Sequence, residues 1–254
     1  NPFYMVEDAG SADLISGGRL QLGISRGSPE QVVEGWRHFG YAPKDGETDQ
    51  DMARDHALTF LRLLDGKGFA KPNPRPMFPN PPGLLRLEPH SPSLRSRIWW
   101  GAASDATAEW AGAVGMHLQS STLKWDESGE PLHLQQATQI RKFRAAWKAA
   151  GHKGAPRASV SRSIFPITSD LDRMYFGQGR PEQDQIGVID NTRAVFGRSY
   201  VGEPDKLIDD LRRDTAIAEA DTLLLTVPNT LGVAYNAHVI ESILKHVAPA
   251  LGWR

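Results

Sequence analysis

The feature that most limits how this chain can fold is a regular alternation, from end to end, of short strand-like runs and stripes with helical spacing. Met5, Ala9 and Ala12 share one helical face, and Gly17-Gly18 closes that segment, because glycine readily takes the left-handed backbone of a helix end. Residues 19–25 alternate polar and apolar and read as a strand. Met52, His56, Phe60, Leu63 and Leu64 form a helical stripe that stops near Gly66. Residues 98–101 read as a buried strand, 105–114 as an alanine-rich helix and 116–120 as a further strand. Ala137, Ile140, Phe143, Trp147 and Ala150 define another helix, and residues 159–167 another strand. Pro204 suits the first turn of a helix carrying Leu207, Ile208 and Leu211. Residues 223–227 are strand-like, and Ile240, Ile243, Leu244, Val247 and Leu251 form the last stripe.

Such a rhythm predicts an α/β fold with parallel strands covered by helices, either a (β/α)8 barrel or an open doubly wound sheet. Five good strands are too few to close an eight-stranded barrel. Two stretches break the rhythm. Residues 71–92 carry Pro72, Pro74, Pro76, Pro79, Pro81, Pro82, Pro89 and Pro92, and so many fixed φ angles and missing donors predict a loop insertion, with a short hairpin around residues 84–87. Residues 169–198 are polar, contain Gly177, Gly179, Gly187 and Gly197, and read as a long loop of the kind that serves as a lid or binding loop.

Composition removes several function classes. A formal net charge of −1 gives no general electrostatic case for nucleic acid or an anionic membrane. With no cysteine there is no disulfide framework, thiolate metal site or cysteine nucleophile, and the chain fits a reducing, cytoplasmic compartment. No apolar run reaches the roughly 18 residues of a membrane span. The eight histidines form no H-E-x-x-H or H-x-H pattern, so no metal site is expected. His56 reads as a packed histidine, Trp99, Trp100 and Trp110 as core, and Lys142, Arg144 and Lys148 as the solvated face of a helix.

Two turns carry the chemistry. In Gly23-Ile24-Ser25-Arg26-Gly27, directly after a strand, Arg26 stands at the carboxyl end where α/β folds bind ligands, and its planar guanidinium beside glycine backbone suits a phosphate. The bland reading is a tight turn with a solvated arginine. The same residues match G-x-S-x-G, a hydrolase nucleophile elbow, with His238 and His246 downstream. Pro29 and residues 35–46 do not read as the helix that should leave such an elbow. In Ser104-Asp105-Ala106-Thr107, Ser104 is an N-cap candidate, and the free N–H groups and dipole of the helix start can hold an anion, with both hydroxyls as donors. Gly101, Ala102 and Ala103 let a ring or phosphate approach. Asp105 argues against an anion there unless it turns outward, and simple capping is the bland reading.

Residues 13–27, Asp-Leu-Ile-Ser-Gly-Gly-Arg-Leu-Gln-Leu-Gly-Ile-Ser-Arg-Gly, resemble the most recognisable block of the bacterial luciferase-like, flavin-dependent monooxygenases, where a helix ending in a Ser-Gly-Gly-Arg type turn feeds the fourth barrel strand. Trp100-Gly101-Ala102-Ala103-Ser104 through Thr107, Ala108 and Gly115 resembles the fifth strand and its helix, and residues 197–211 resemble a late helix of the family more weakly. The resemblance runs over nearly the whole chain. It implies a (β/α)8 TIM barrel of the luciferase-like type, here its C-terminal part as one domain over residues 1–254, with the first three strands absent and with insertions near 67–96 and 168–198. The apolar inner faces left open by those strands would be Leu20, Leu22 and Ile24, and Leu223, Leu225 and Val227.

What the resemblance implies for function is an oxidoreductase that takes reduced FMN from a separate flavin reductase and uses O2 to oxygenate a small organic substrate, as a homo-oligomer. Carried over by residue, Arg26 contacts the flavin phosphate beside Gly27, Ser104 and Thr107 bind it as well, Ala102 and Ala103 lie beside the ring, and Arg54 is a second phosphate arginine. No catalytic base is implied by the residues present. The alternatives are an F420-dependent hydride-transfer enzyme, a non-catalytic flavin-binding subunit, and a serine hydrolase with Ser25 as nucleophile.

Overall fold

The protein is described from a computed structural model covering every residue except 28–31, 127, 179–182, 190 and 254. Pro29 and Gly179 therefore lie outside the described residues. Two compact units divide the chain, Asn1–Gly101 and Ala102–Arg254.

The first unit opens with α1 (Pro2–Ile15), capped by the Asn1 side chain, which accepts the Phe3 N–H, with Pro2 in the first turn. Gly17 and Gly18 end it at φ of 67° and 77°, the Gly18 N–H returning to the Asp13 carbonyl, as the glycine pair predicts. Strand β1 is shorter than expected, Leu22–Ile24, because residues 19–21 serve the helix exit instead. There the Leu20 N–H, the Ser91 hydroxyl and the Arg97 guanidinium all donate to the fully buried Asp13 carboxylate. A 3-10 turn (Gly35–Phe39) precedes α2 (Asp49–Leu64), whose start is a reciprocal Thr48/Asp51 capping box. Its Ala57, Phe60, Leu61, Leu63 and Leu64 are buried. Strand β2 (Ile98–Ala102) pairs parallel with β1, Leu22 opposite Ile98 and Ile24 opposite Trp100.

The proline-rich segment is irregular, as its missing donors require. The hairpin expected around residues 84–87 forms differently. Leu85 exchanges hydrogen bonds with Ala70 across the prolines, because Pro72 to Pro82 supply no nearby N–H.

The second unit carries α3 (Asp105–Ala113), β3 (His117–Ser120), β4 (Leu123–Trp125), α4 (Leu132–Ala149), β5 (Ala158–Arg162), β6 (Ile164–Pro166), α5 (Asp170–Phe176), β7 (Gln185–Ile189), β8 (Thr192–Phe196), β9 (Tyr200–Gly202), α6 (Pro204–Arg212), α7 (Thr215–Glu219), β10 (Thr222–Leu225), α8 (Gly232–His246) and α9 (Ala248–Leu251). Strand β5 lies between β3 and β10, all parallel; β8 lies between β4 and β7, all antiparallel; β6 pairs parallel with β9. The strand expected over residues 159–167 is thus two strands in two sheets. Arg162 gives its carbonyl to Thr226 beside β10, and the next carbonyl, Ser163, takes the Tyr200 N–H beside β9, so the chain changes partner at that point.

Within residues 169–198, read as a loop, the described residues include α5, β7 and β8. Ser169 caps α5, and β7 and β8 form a two-stranded ladder whose outer strand is mostly exposed, Ile186 and Val188 included. The last helical stripe is broken at Val247 into α8 and α9, with Pro249 in the first turn of α9. Helix α4 packs closely on α3: a Cβ at Gly112 would lie 2.5 Å from the Phe143 carbonyl oxygen, which fixes glycine there. The unit's core gathers Phe165, Phe176, Tyr200, Leu207, Val239 and Ile243 around β6, β9 and the late helices. Each unit is α/β with parallel strands, as the alternation predicts. Among the described residues, no helix is long and apolar enough to cross a membrane.

Candidate functional site

The turn after β1 is built for close approach. A Cβ on Gly101 would lie 3.3 Å from that of Ser25, so the bare glycine of β2 lets the turn sit against the sheet. Gly27 has φ of 87°, which favours glycine, and its N–H donates to the Ser25 hydroxyl. Arg26 faces Asp49 at the start of α2, Nη1 to Oδ1 3.7 Å, a distance at which the two charges attract without a good hydrogen bond. Both residues line a cavity of about 720 Å³ within the first unit.

Cavity walls come from α1 (Met5), the two strands (Ile24, Trp100) and α2 (Ala53, His56, Phe60), and the loop between β1 and α2 adds Trp36, Phe39 and Tyr41. Ile24, expected on an inner barrel face, instead lies on the face that α1 and α2 cover. The reason is its register opposite Trp100, whose ring is buried on the same side. His56 does sit on the apolar stripe, yet it is half-buried and lines the cavity, its ring edge-on to Tyr41 with centroids 4.8 Å apart. Burial pushes its imidazole pKa down. Arg54, on the same helix, is not among the residues lining this cavity.

Ser25 lacks the features of a nucleophile. Its φ is not in the positive region, and among the described residues no histidine hydrogen-bonds to its hydroxyl. These features speak against the elbow reading.

In the second unit, Ser104 caps α3: its hydroxyl accepts the Thr107 N–H at 3.2 Å and donates to the Thr107 hydroxyl at 2.9 Å. Ala102 is buried and Ala103 half-buried at the end of β2, their carbonyls taking the Ser121 and Trp125 N–H groups. Asp105 does not oppose an anion here, because Lys124 (2.8 Å) and Lys142 (2.7 Å) both grip its carboxylate. Burial works against its charge, but the two ammonium groups outweigh it and hold the carboxyl below its ordinary range. Two lysines against one aspartate leave the start of α3 positive, with its dipole unopposed.

That pairing corrects the expectation for α4, whose basic residues are not merely solvated. Lys142 binds Asp105, Arg144 binds Glu219 and Asp221, and Lys148 alone of the three is simply exposed. The tryptophans follow expectation in part. Trp99 and Trp100 are buried, Trp99 donating to the Gln21 side chain, and Trp100 also faces the cavity.

The sequence reading passed over two further clusters, both in the second unit. Arg162, the last residue of β5, makes a two-point contact with Asp214 (2.7 and 3.1 Å) and also donates to Gln136. Tyr200 donates to the same aspartate at 2.6 Å, and burial together with that carboxylate pushes the phenol pKa up to about 12. Elsewhere, Asp172 accepts from Tyr235 (2.6 Å) and pairs with His238 (2.9 Å). The partners that make each a cluster are 14 to 66 residues apart, so only the Ser169-x-x-Asp172 cap is written locally.

The Arg26 turn of the first unit and the Ser104 start of α3 in the second each carry groups that can hold an anion. The sequence pattern of the luciferase-like monooxygenase family matches residues 1–173, and the chain belongs to that family. A search of curated proteins finds no match. Solved structures share the fold. Monooxygenase RslO1 from Streptomyces bottropensis is 18% identical with a TM-score of 0.64, over 99% of this chain and 74% of that one. The oxygenating constituent of 3,6-diketocamphane monooxygenase from Pseudomonas putida, a type II Baeyer-Villiger enzyme solved with FMN, is 16% identical with a TM-score of 0.63, over 98% and 75%. Coenzyme F420 dependent tetrahydromethanopterin reductase from Methanopyrus kandleri is 13% identical with a TM-score of 0.58, over 98% and 79%.

Proposed function

We propose that this chain is the C-terminal part of the barrel of a flavin-dependent oxidoreductase, which takes reduced FMN from a separate reductase and uses O2 to oxygenate a small organic substrate. Bound flavin would supply the redox chemistry; the protein's work is to hold and orient it and to exclude water. Arg26 is the phosphate anchor in this reading, with Ser104 and Thr107 as hydroxyl donors and Ala102 and Ala103 as the small residues beside the ring. The observation that carries it is the Arg26 turn. Among the described residues the guanidinium's ion pair is a long, half-exposed one with Asp49, a carboxylate that a phosphate dianion can displace at small cost. The bare backbone at Gly27 fits the approach of a phosphate. The Ser104 start of α3, its own carboxylate neutralised by two lysines, is by itself suited to an anion.

Arg26→Ala in the complete protein should weaken FMN by roughly 1.5–3 kcal/mol, the scale of a charge-assisted hydrogen bond. Riboflavin, which has no phosphate, should lose far less. A fluorescence titration with both ligands measures this, and equal losses would remove Arg26 from the site. The same titration with F420 separates the deazaflavin alternative.

A further inference from the structure

We propose that the cavity of the first unit binds a flat hydroxyaromatic molecule, which stacks against the rings that line it and donates its phenolic O–H to His56. The proposal names a substrate class for the flavin-dependent reading and rests on that reading for the oxidation, though not for the binding.

Shape and lining both point this way. About 720 Å³ falls in the usual range for small-molecule sites and accommodates roughly two or three fused rings. Five aromatic side chains line it. Phe60 and Trp100 are almost fully buried, while Phe39, near its mouth, is 79% exposed. Solvating a phenylalanine at the edge of an apolar cavity is unfavourable, and a planar guest beneath it would recover that area. Aromatic guests suit such a lining better than aliphatic ones, because ring edges and faces offer complementary quadrupoles.

His56 supplies the polar recognition. Burial keeps its imidazole neutral near pH 7, so one ring nitrogen is an acceptor. Among the described residues its ring makes no hydrogen bond; it meets Tyr41 only edge-on. A half-buried acceptor in an apolar wall selects a ligand that brings a donor and penalises one that does not. The spacing of this wall is a property of the loop between β1 and α2, where Trp36, Phe39 and Tyr41 fall within six residues.

Tryptophan fluorescence quenching in the complete protein tests the idea with two probes of equal shape, 2-naphthol and 2-methoxynaphthalene. The naphthol should bind about tenfold more tightly, the equivalent of one well-formed hydrogen bond. His56→Phe should abolish that preference while sparing the methoxy compound, and His56→Gln, which keeps an acceptor, should retain part of it. Trp36→Ala should weaken both probes. Equal affinity of the wild-type protein for the two probes would overturn the proposal, even if a variant failed to fold. So would an undiminished preference in a folded His56→Phe protein. Displacement of 2-naphthol by riboflavin would also overturn it, because the flavin ring would then be the occupant. FMN titrated into His56→Phe reports separately on the cofactor: loss of naphthol selectivity with FMN binding intact isolates the cavity, and failure of FMN to bind the wild-type protein leaves the naphthol result standing.

Discussion

Arg26 and Arg162 both sit at the carboxyl end of a parallel strand and both face an aspartate, yet they are held in opposite ways. Arg162 meets Asp214 at 2.7 Å with side chains 4% and 0% exposed, and Tyr200, Gln136 and a backbone carbonyl complete the shell. Arg26 meets Asp49 at 3.7 Å with side chains 32% and 38% exposed. A buried pair of this kind is committed to the fold, because withdrawing either partner strands a charge in low dielectric. A loose, half-solvated pair contributes little to stability and leaves the arginine free to exchange its carboxylate for a better anion. Strand-end arginines with aspartate partners are thus not equivalent evidence of a ligand site; depth decides.

The largest effect should come from the buried pair. Asp214→Ala should cost about 3–5 kcal/mol in a urea-denaturation experiment, since it leaves the Arg162 guanidinium uncompensated. A loss below about 1 kcal/mol would place Arg162 with the surface arginines and erase the contrast.

Acid should remove part of the same stability. Burial alone would raise the Asp214 pKa, but Arg162, Tyr200 and the Ile217 N–H outweigh it and hold the carboxyl below its ordinary value. A carboxylate with a depressed folded pKa stabilises the protein above its unfolded pKa and loses that contribution as pH falls through the folded one. Asp13, held down by Ser91, Leu20 and Arg97 against its burial, acts in the same direction in the first unit. The denaturation midpoint should therefore be flat above about pH 5 and fall below about pH 4. Asp214→Asn should start lower and fall less steeply; an unchanged slope would show that Asp214 does not carry the acid response.

The smallest effect sharpens the ligand end of the comparison. Asp49→Asn should change folding stability by less than about 1 kcal/mol and tighten FMN a few-fold, because it removes the anion that competes for Arg26. Weaker FMN binding in this variant, measured by fluorescence titration, would show that Asp49 orients the arginine rather than competing with the phosphate.

Much of this was legible in the sequence, and the boundary is physical. Strands β1, β2, β3, β5 and β10 and the helices α1 to α4 could be found because periodicity is a local consequence of which face is buried. Arg26 and Ser104 were legible for the same reason: a turn after a strand and a cap before a helix are written in adjacent residues. Asp105 could not be read, since its meaning depends on Lys124 and Lys142, 19 and 37 positions away. The break between β5 and β6 was hidden because Ser163 changes partners without any change in composition. The cavity as such was not legible. Trp36, Phe39 and Tyr41 lie in a stretch without a period, where no face can be read, and only α2 brings His56, read as packed, to the same wall.

Gln139 of α4, fully buried, donates to the Ser104 carbonyl at 3.0 Å and to the Ala102 carbonyl at 3.4 Å, and its own oxygen takes the Ser120 hydroxyl at 2.6 Å. With Gly112 pressed against Phe143, the start of α3 has no small motion available that would not also pull α4 and β3. In the currency of amide hydrogen exchange, such a segment opens only with the unit as a whole, on the slowest clock the molecule has. The α3 start is thus a fixed mount rather than a moving part, its N–H groups and hydroxyls staying in place while the rest of the unit does.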